Sequence, residues 1–179
     1  MKHKSVLLDE VINYLNIHED GTYVDATLGY AGHSGEVLKR LNEKGFLFAF
    51  DQDIEAIKYS NKKLSEINDN FIIINDNFCN MKKYINKEVD GIMFDLGVSS
   101  PQLDEAERGF SFHKDAELDM RMDKRNPLNA KIVVNEYSYD KLVDIFYRFG
   151  EEKYSKSIAK NIVSSRPIKR TLELVDIIK

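Results

Sequence analysis

The sequence predicts an α/β fold in which helices cover both faces of a parallel sheet. Three short apolar segments, 46–50, 71–74 and 89–96, are typical of strands buried on both sides. Helix-length segments separate them from one another and from a further strand-like run at 22–28. Hydrophobic residues make up 42% and charged residues 31% of the 179 residues, which indicates a globular protein. We therefore expect a sheet of four parallel strands, in the order three-two-one-four.

Apolar residues at helical spacing predict three helices in this first region. They form stripes at Leu7, Leu8, Val11, Ile12 and Leu15, at Val37, Leu38 and Leu41, and at Ala56, Ile57 and Leu64. Gly45 is expected to end the second helix, and Asp53 to cap the third.

The sequence changes character after Pro101. Residues 101–128 are rich in charge and lack a periodic segment, so we predict an irregular connector. Three helices follow, with no strand to continue the sheet. The first is capped by Ser138 and ends at Gly150, and the last runs from Thr171 through Ile178. Their apolar sides are formed by Leu142, Val143, Ile145, Phe146 and Phe149, and then by Tyr154, Ile158, Ile162 and Val163.

Composition excludes several classes of protein. Cys79 is the single cysteine, which rules out an intrachain disulfide, and no Cys/His spacing resembles a zinc site. The apolar runs are too short to cross a bilayer, and the beginning of the sequence lacks a secretory signal. We expect a cytoplasmic protein without a metal or a membrane partner.

The net charge of −4 argues against sequence-blind binding of nucleic acid along a basic stripe. A local basic cluster nevertheless lies near the end of the chain, and it could contact a shaped RNA or simply be a solvated helix face. Its members are Lys153, Lys156, Lys160, Arg166, Lys169 and Arg170.

Acidic residues and glycines follow three of the predicted strands. Asp25 leads into a glycine-containing turn, 29–33, which enters a helix directly. Asp51 ends the second strand, and Asp95 lies at the end of the fourth. Because ligands of open parallel sheets bind at the carboxyl ends of strands, these residues predict a binding cleft. A carboxylate at Asp51 could accept hydrogen bonds from both hydroxyls of a ribose.

The glycines at 29 and 32 do not form the G-x-G-x-x-G pattern of dinucleotide sites. The turn therefore favours a nucleoside ligand without a pyrophosphate. Two structural explanations stay open: the glycines could serve packing alone, and Asp95 could cap the turn that follows it.

Five sequence runs carry a family resemblance, and they begin at Asp25, Gly32, Asp95, Arg108 and Leu118. They read DATLG, GHS, DLGVSSPQLD, RGFSF and LDMRMD. Together they closely resemble the RsmH (MraW) family of bacterial small-subunit ribosomal RNA cytosine-N4 methyltransferases, with similarity from His3 to Lys179.

The resemblance implies a Rossmann-like methyltransferase sheet that binds S-adenosyl-L-methionine, with an all-α insertion domain. On this basis we expect domains at 1–104 and 105–179, the second recognising the substrate. The implied reaction is methylation of the N4 amine of a cytidine in 16S ribosomal RNA of the small subunit. The implied cosubstrate contacts are Ala31, Gly32, His33, Asp51, Phe78, Asp95 and Gln102.

Two positions depart from the family pattern. Ala31 stands where glycine is frequent, and a backbone contact survives there if alanine tolerates the dihedral angles. Glu117 replaces the proline that usually precedes Leu118, which affects the shape of the connector more than the chemistry.

The implied chemistry gives hypotheses for the catalytic residues. Asp95 would orient the amine or accept its proton, and Ser99 would shape the pocket. His33 is expected to begin a helix beside the ligand rather than to act as a base. In the connector, Phe110 and Phe112 could stack on an unstacked base, or could pack the connector onto the sheet. Arg121 could likewise clamp RNA, or pair internally with Asp119.

A methyltransferase sheet of this type normally has seven strands, and only four are predicted. We therefore expect a fragment with weakened or absent catalysis, whose fourth strand is an exposed edge. Two rival functions remain. One is a nucleotide-dependent oxidoreductase, which the missing G-x-G-x-x-G disfavours, and the other is a non-catalytic RNA-binding or assembly module.

Overall fold

The computed structural model describes residues 5–179, which pack as two compact units. The first unit ends at Gly97, and the second is Val98–Lys179. The sequence had placed the domain boundary after Asp104, a little further along the chain. The first unit holds the sheet, and the second is built from helices and irregular segments.

The first unit alternates helices and strands. Its elements are α1 (Leu8–Leu15), β1 (Thr22–Asp25), α2 (Gly32–Leu38), β2 (Phe46–Phe50), α3 (Ile54–Ser65), β3 (Phe71–Ile74), a 3-10 helix (Phe78–Lys83) and β4 (Gly91–Met93). All strand pairs are parallel, and the sheet order is β3-β2-β1-β4. This confirms the predicted α/β class, strand number and strand order.

Successive residues of the central strands point to opposite faces of the sheet. Tyr23 and Leu47 belong to an apolar cluster that includes residues of α1, α2 and α3. Val24 and Phe50 belong to a second cluster, against which the 3-10 helix packs. All four are fully buried, and each such side chain contributes roughly 1.5–3 kcal/mol through its transfer from water. The prediction of a sheet covered on both faces is confirmed for the first face only, because Ile72 and Ile92 are exposed on the second.

Two strands, β1 and β4, are shorter than the sequence predicted. β1 stops at Asp25 because the carboxylate of Asp25 accepts a hydrogen bond from the amide of Thr27 at 3.0 Å and turns the chain. The run predicted at 89–96 contributes only β4 to the ladder. Within the described residues β4 pairs with β1 alone, and Ile92, Phe94 and Leu96 are exposed.

The prediction that Gly45 ends the second helix is wrong. α2 ends at Leu38, where the amides of Arg40 and Leu41 bond to carbonyls three residues earlier and tighten the chain. Gly45 serves a different purpose, since a Cβ atom there would lie 2.6 Å from the carbonyl oxygen of Glu19. Close approach of two backbone segments therefore requires glycine. Asp53, by contrast, caps α3 as predicted and accepts from the amide of Glu55.

The second unit has its own apolar core, formed by Leu118, Val134, Leu142, Ala159, Ile162 and Ile168. Its helices are α4 (Ser100–Asp104), α5 (Ala130–Glu136), α6 (Tyr139–Arg148), α7 (Ser155–Ser164) and α8 (Thr171–Ile178), with a 3-10 turn at Ala106–Arg108. Ser138 caps α6 and α8 begins at Thr171, as predicted.

Two expectations for this unit are wrong. The connector predicted at 101–128 contains α4 and the 3-10 turn, because Ser99 and Gln102 cap a short helix that carries no apolar periodicity. Phe149, predicted on the buried side of its helix, is 82% exposed. It is the C-cap residue of α6.

Across residues 5–179, no helix is long and apolar enough to span a membrane. The single cysteine, Cys79, is exposed in the 3-10 helix that follows β3.

Candidate active site

The turn between β1 and α2 is held by bonds from the neighbouring strand and helix. The amide of Leu28 donates to the carbonyl of Phe50 at 2.9 Å, across to β2. The hydroxyl of Ser60, on α3, donates to the carbonyl of Gly29 at 2.7 Å. Gly29 has a φ of 50°, in the left-handed region that glycine adopts readily. The turn is therefore fixed by the scaffold around it.

Ala31, the departure from the family pattern, also has a left-handed backbone, with a φ of 53°. That conformation costs an L-residue roughly 1–2 kcal/mol. The methyl group is fully buried in the core of the first unit, and burial of one such group returns about 0.8 kcal/mol. Alanine is thus accommodated without changing the turn.

Asp51 lies beside this turn, as its position at the end of β2 predicted. One carboxylate oxygen accepts from the amide of Gly29 at 2.8 Å, and the other accepts from the amide of Asp53 at 2.8 Å. Burial raises the pKa of Asp51 above its usual value, while the two amides act in the opposite direction. The amide of Gln52 is a further backbone donor to this carboxylate, so the side chain is firmly oriented and keeps only part of its capacity to accept hydrogen bonds.

Asp25 is a buried carboxyl group that the site prediction did not include. It accepts hydrogen bonds from the hydroxyl of Ser34 at 2.6 Å and from the amide of Thr27. Burial raises its pKa to about 6, although the bond from Ser34 partly offsets that effect. Its position after a strand was visible in the sequence. Its complete burial was not, because that depends on α2 and the neighbouring strands.

A cavity of about 150 Å³ lies at this end of the sheet. Its walls are formed by Val6, Leu7, Val11, Asp25, His33, Met93, Phe94 and Asp95. Apolar residues from α1, from the segment before it and from the end of β4 line the cavity together with the two carboxyl groups and the imidazole.

His33 occupies the first turn of α2 and is almost completely buried. Its Nε2 atom lies 3.0 Å from the carbonyl oxygen of Val6, and its Nδ1 atom lies 3.9 Å from a carboxylate oxygen of Asp95. The side chain of Asp95 is about half exposed, and its backbone amide donates to the hydroxyl of Thr27 at 2.7 Å. The structure therefore brings His33, Asp95 and the glycine turn together.

Phe78 lies at the start of the 3-10 helix and faces Phe94 edge to face, with ring centroids 5.4 Å apart and an interplanar angle of 84°. Phe78 also packs against the cluster of Val24, Phe50 and Ile74. The sheet edge thus has an aromatic surface as well as carboxylates.

Ser99 and Gln102 lie in the second unit and form a capping box at the start of α4. The amide of Ser99 donates to the side-chain oxygen of Gln102 at 3.0 Å, and the amide of Gln102 donates to the hydroxyl of Ser99 at 3.4 Å. Both side chains thus have a structural role, and their predicted roles in catalysis and cosubstrate binding stay predictions.

Arg121 and Asp119 form a two-point ion pair, with nitrogen–oxygen distances of 2.7 and 3.0 Å. The guanidinium also donates to the carbonyls of Lys124 and Asn126, which fixes the connector. The internal-pair interpretation of Arg121 is therefore the one that the structure supports. Phe110 packs near the guanidinium of Arg108, and Phe112 is 66% exposed.

In the basic cluster near the end of the chain, two arginines form bonds within the helical unit, whereas three lysines are exposed. Arg166 donates to the carbonyls of Val134 and Tyr137, and Arg170 pairs with Asp115. These two arginines hold the helical unit together. The lysines at 153, 156 and 160 are exposed.

The sequence pattern of the MraW methylase family matches residues 1–179. The chain belongs to this family. The resemblance predicted from the runs around Asp95 and Arg108 is confirmed.

Comparison with individual proteins gives the same result. Ribosomal RNA small subunit methyltransferase H of Mycoplasma mycoides subsp. mycoides is 57% identical over 182 residues, covering 99% of this chain and 59% of the relative. The chain thus spans about three fifths of the length of this curated relative.

Two solved structures show weaker similarity. One from Clostridium thermocellum, provisionally named an rRNA-methylase, is 32% identical with a TM-score of 0.49, over 55% of this chain and 54% of that one. Another from Streptococcus mutans, provisionally named a methyltransferase and solved in complex with SAH, is 22% identical with a TM-score of 0.47, over 55% of this chain and 56% of that one.

Proposed function

We propose that this chain provides the donor-binding and acceptor-orienting part of an enzyme that methylates the N4 amine of a cytidine in 16S ribosomal RNA. S-adenosyl-L-methionine is the methyl donor. The observation that carries the proposal is the hydrogen bond between the amide of Gly29 and Asp51. This bond holds the carboxylate proposed to bind the ribose against a preformed turn. The cavity lined by Asp25, His33 and Asp95 lies at the same end of the sheet.

The site fits this donor in charge and in shape. Asp51 has lone pairs left for the ribose hydroxyls, and Phe78 offers an aromatic surface for a base. The cavity is smaller than the roughly 300 Å³ of sites that enclose whole ligands, so it suits the charged amino-acid end of the donor. The carboxylates of Asp25 and Asp95 complement the positive charges of that end. Ala31, Gly32, His33 and Gln102 complete the proposed contacts.

S-adenosyl-L-methionine supplies an electrophilic methyl group on a sulfonium. Asp95 would accept a hydrogen bond from the amine, whose lone pair is otherwise delocalised into the cytosine ring. As the bond from nitrogen to the methyl carbon forms, the carbon–sulfur bond breaks and its electron pair stays on sulfur. The amine then loses one proton, for which the Asp95 carboxylate is the proposed acceptor. Ser99 is proposed to shape the acceptor pocket.

The RNA substrate is supported by the name of the Mycoplasma relative, a small-subunit ribosomal RNA methyltransferase. The target amine lies on a base edge, so the nucleotide must be presented unstacked. The exposed ring of Phe112 and the exposed lysines of α7 suit such an RNA.

A binding experiment tests the donor half of the proposal. Titration calorimetry with S-adenosylhomocysteine should show saturable binding to the chain, and Asp51→Ala should weaken it about tenfold or more, through loss of the ribose hydrogen bonds. Lys58→Ala, an exposed change on α3, is the control. Absence of binding by the unmodified chain would contradict the proposal.

A transfer experiment tests the acceptor half. The chain is incubated with small-subunit particles and methyl-labelled donor, and the modified nucleoside is identified by mass spectrometry. We expect N4-methylcytidine, and a rate about 100-fold lower for Asp95→Ala at saturating donor. Unchanged turnover in that variant would remove Asp95 from the mechanism. Binding of RNA and donor without transfer would favour the non-catalytic RNA-binding alternative for this chain.

A further inference from the structure

The contact between the His33 ring and the carbonyl of Val6 determines which ring nitrogen carries the hydrogen. Nε2 lies 3.0 Å from the carbonyl oxygen of Val6, and a carbonyl can only accept. Nε2 must therefore carry the hydrogen and donate it. In the neutral ring this leaves Nδ1 with a lone pair, and Nδ1 is the atom that faces Asp95.

Nδ1 and the carboxylate oxygen of Asp95 are 3.9 Å apart, which is too long for a hydrogen bond. With a neutral ring and an ionised carboxylate, both atoms are acceptors and no hydrogen bond can form between them. A hydrogen on the carboxyl group would change this, because the half-exposed side chain of Asp95 could then move about 1 Å closer and donate to Nδ1. The geometry thus allows a hydrogen bond that forms only when Asp95 carries a hydrogen.

The surroundings of the ring favour this arrangement. In the described part of the chain, the titratable groups that face it are Asp25 on β1 and Asp95 after β4. Asp25 is already bonded to Ser34 and Thr27, so it does not compete for Nδ1. The segment before α1 and α1 itself contribute the apolar residues Val6, Leu7 and Val11. The carbonyl of Val6 therefore holds the ring through Nε2, and Asp95 faces Nδ1.

We propose that His33 is a positioning residue whose Nδ1 atom accepts a hydrogen bond from Asp95 once Asp95 has taken the proton released by the methylated amine. This inference rests on the proposed function. The new nitrogen–carbon bond forms as the carbon–sulfur bond breaks toward sulfur, the proton passes from the amine nitrogen to Asp95, and the O–H of Asp95 donates to Nδ1. Proton uptake replaces an acceptor–acceptor contact with a hydrogen bond, so it favours the product side of the step.

Two substitutions separate this role from simple anchoring. In His33→Gln, the side-chain amide reaches as far as Nε2 and can still donate to the carbonyl of Val6, but no acceptor remains at Nδ1. In His33→Asn, the shorter amide places its polar atoms near Nδ1 and loses the reach to Val6. Neither substitution changes the backbone of the turn, and the backbone alone can contact the methyl donor at this position.

The rate of methyl transfer at saturating donor decides between the two roles. We expect His33→Gln to be slowed about 100-fold, and His33→Asn to keep at least ten times more of the activity. Far-ultraviolet circular dichroism of both variants should match that of the unmodified chain, which shows that the fold is retained, and the rates are compared at saturating donor. A role in anchoring Val6 predicts the opposite order, so equal or greater activity of His33→Gln would overturn the inference.

A second readout does not depend on catalysis. The tautomer of the His33 ring is measured by nitrogen-15 NMR in the unmodified chain. We expect the hydrogen on Nε2, which donates to Val6, and a lone pair on Nδ1, which faces Asp95. If the chain transfers no methyl group, the proposed function fails while this measurement still tests the arrangement of the ring. A neutral ring with its hydrogen on Nδ1 would overturn the inference by itself.

Discussion

The carboxyl group of Asp25 is buried at the end of β1, where the hydroxyl of Ser34 and the amide of Thr27 meet it. Its pKa is raised from 3.8 to about 6. The folded state therefore binds this proton more tightly than the unfolded state does. A group of this kind stabilises the fold fully below its unfolded pKa, and that contribution disappears as the pH rises through the folded pKa.

The resulting prediction concerns stability between about pH 4 and pH 6. Across that window the free energy of unfolding should lose about 2 kcal/mol from Asp25 alone, because a tenfold change in proton affinity between the folded and unfolded states corresponds to about 1.4 kcal/mol and the loss is only part of the way complete at pH 6. Asp25→Asn removes this group's contribution. Urea unfolding of both proteins from pH 4 to pH 7.5 should show a difference between them that varies with pH. A constant difference would contradict the raised pKa.

Some residues of the candidate site could be predicted from the sequence, and others could not. Asp51 and Asp95 were found because polar residues that follow apolar strands of a parallel sheet meet at one edge. The contact between His33 and the carbonyl of Val6 was not predictable, because it depends on how the chain before α1 folds over α2. Arg121 was ambiguous in the sequence, and its two-point pair with Asp119 becomes evident only in the folded connector.

At the scale of elements, helix starts were easier to predict than helix ends. Asp53 and Ser138 cap α3 and α6 through local hydrogen bonds that the sequence specifies. The ends of helices were less certain, since α2 stops well before Gly45. Glycine there reflects a tertiary contact with the backbone of Glu19, which local sequence cannot reveal.

The capping box of α4 gives a prediction at this scale. Ser99→Ala removes the acceptor for the amide of Gln102 and should lower the free energy of unfolding by about 1 kcal/mol, whereas Ser99→Asn keeps a capping side chain. Thermal unfolding of both variants measures the effect. If Ser99 also shapes the acceptor pocket, Ser99→Asn will be as stable as the unmodified chain and slower in methyl transfer. Equal stability of the alanine variant would contradict the capping role.

At the scale of the whole molecule, β4 forms an edge of the sheet in the described part of the chain. Ile92 in β4 is 41% exposed, and Phe94 and Leu96, which follow the strand, are 51% and 71% exposed. An apolar edge strand with unpaired backbone groups is a template for pairing with another chain. The molecule thus combines a well-packed interior with an edge suited to adding a strand.

We therefore expect self-association that increases with protein concentration and is reduced by Ile92→Lys, because a charge on an edge strand disfavours strand pairing. Tyr14→Lys, at a position 90% exposed on α1, adds the same charge away from the sheet and is the matched control. Sedimentation velocity at several concentrations measures the effect. Equal association of the two lysine variants would exclude pairing through β4.

Cys79 gives the molecule a built-in attachment point for a reporter. It is exposed, it is the only thiol in the sequence, and it directly follows Phe78, whose ring meets Phe94. A maleimide fluorophore would therefore attach at one known place without any mutation. Because that place adjoins the aromatic pair, changes in emission during a titration could be followed in real time, with unlabelled chain as competitor.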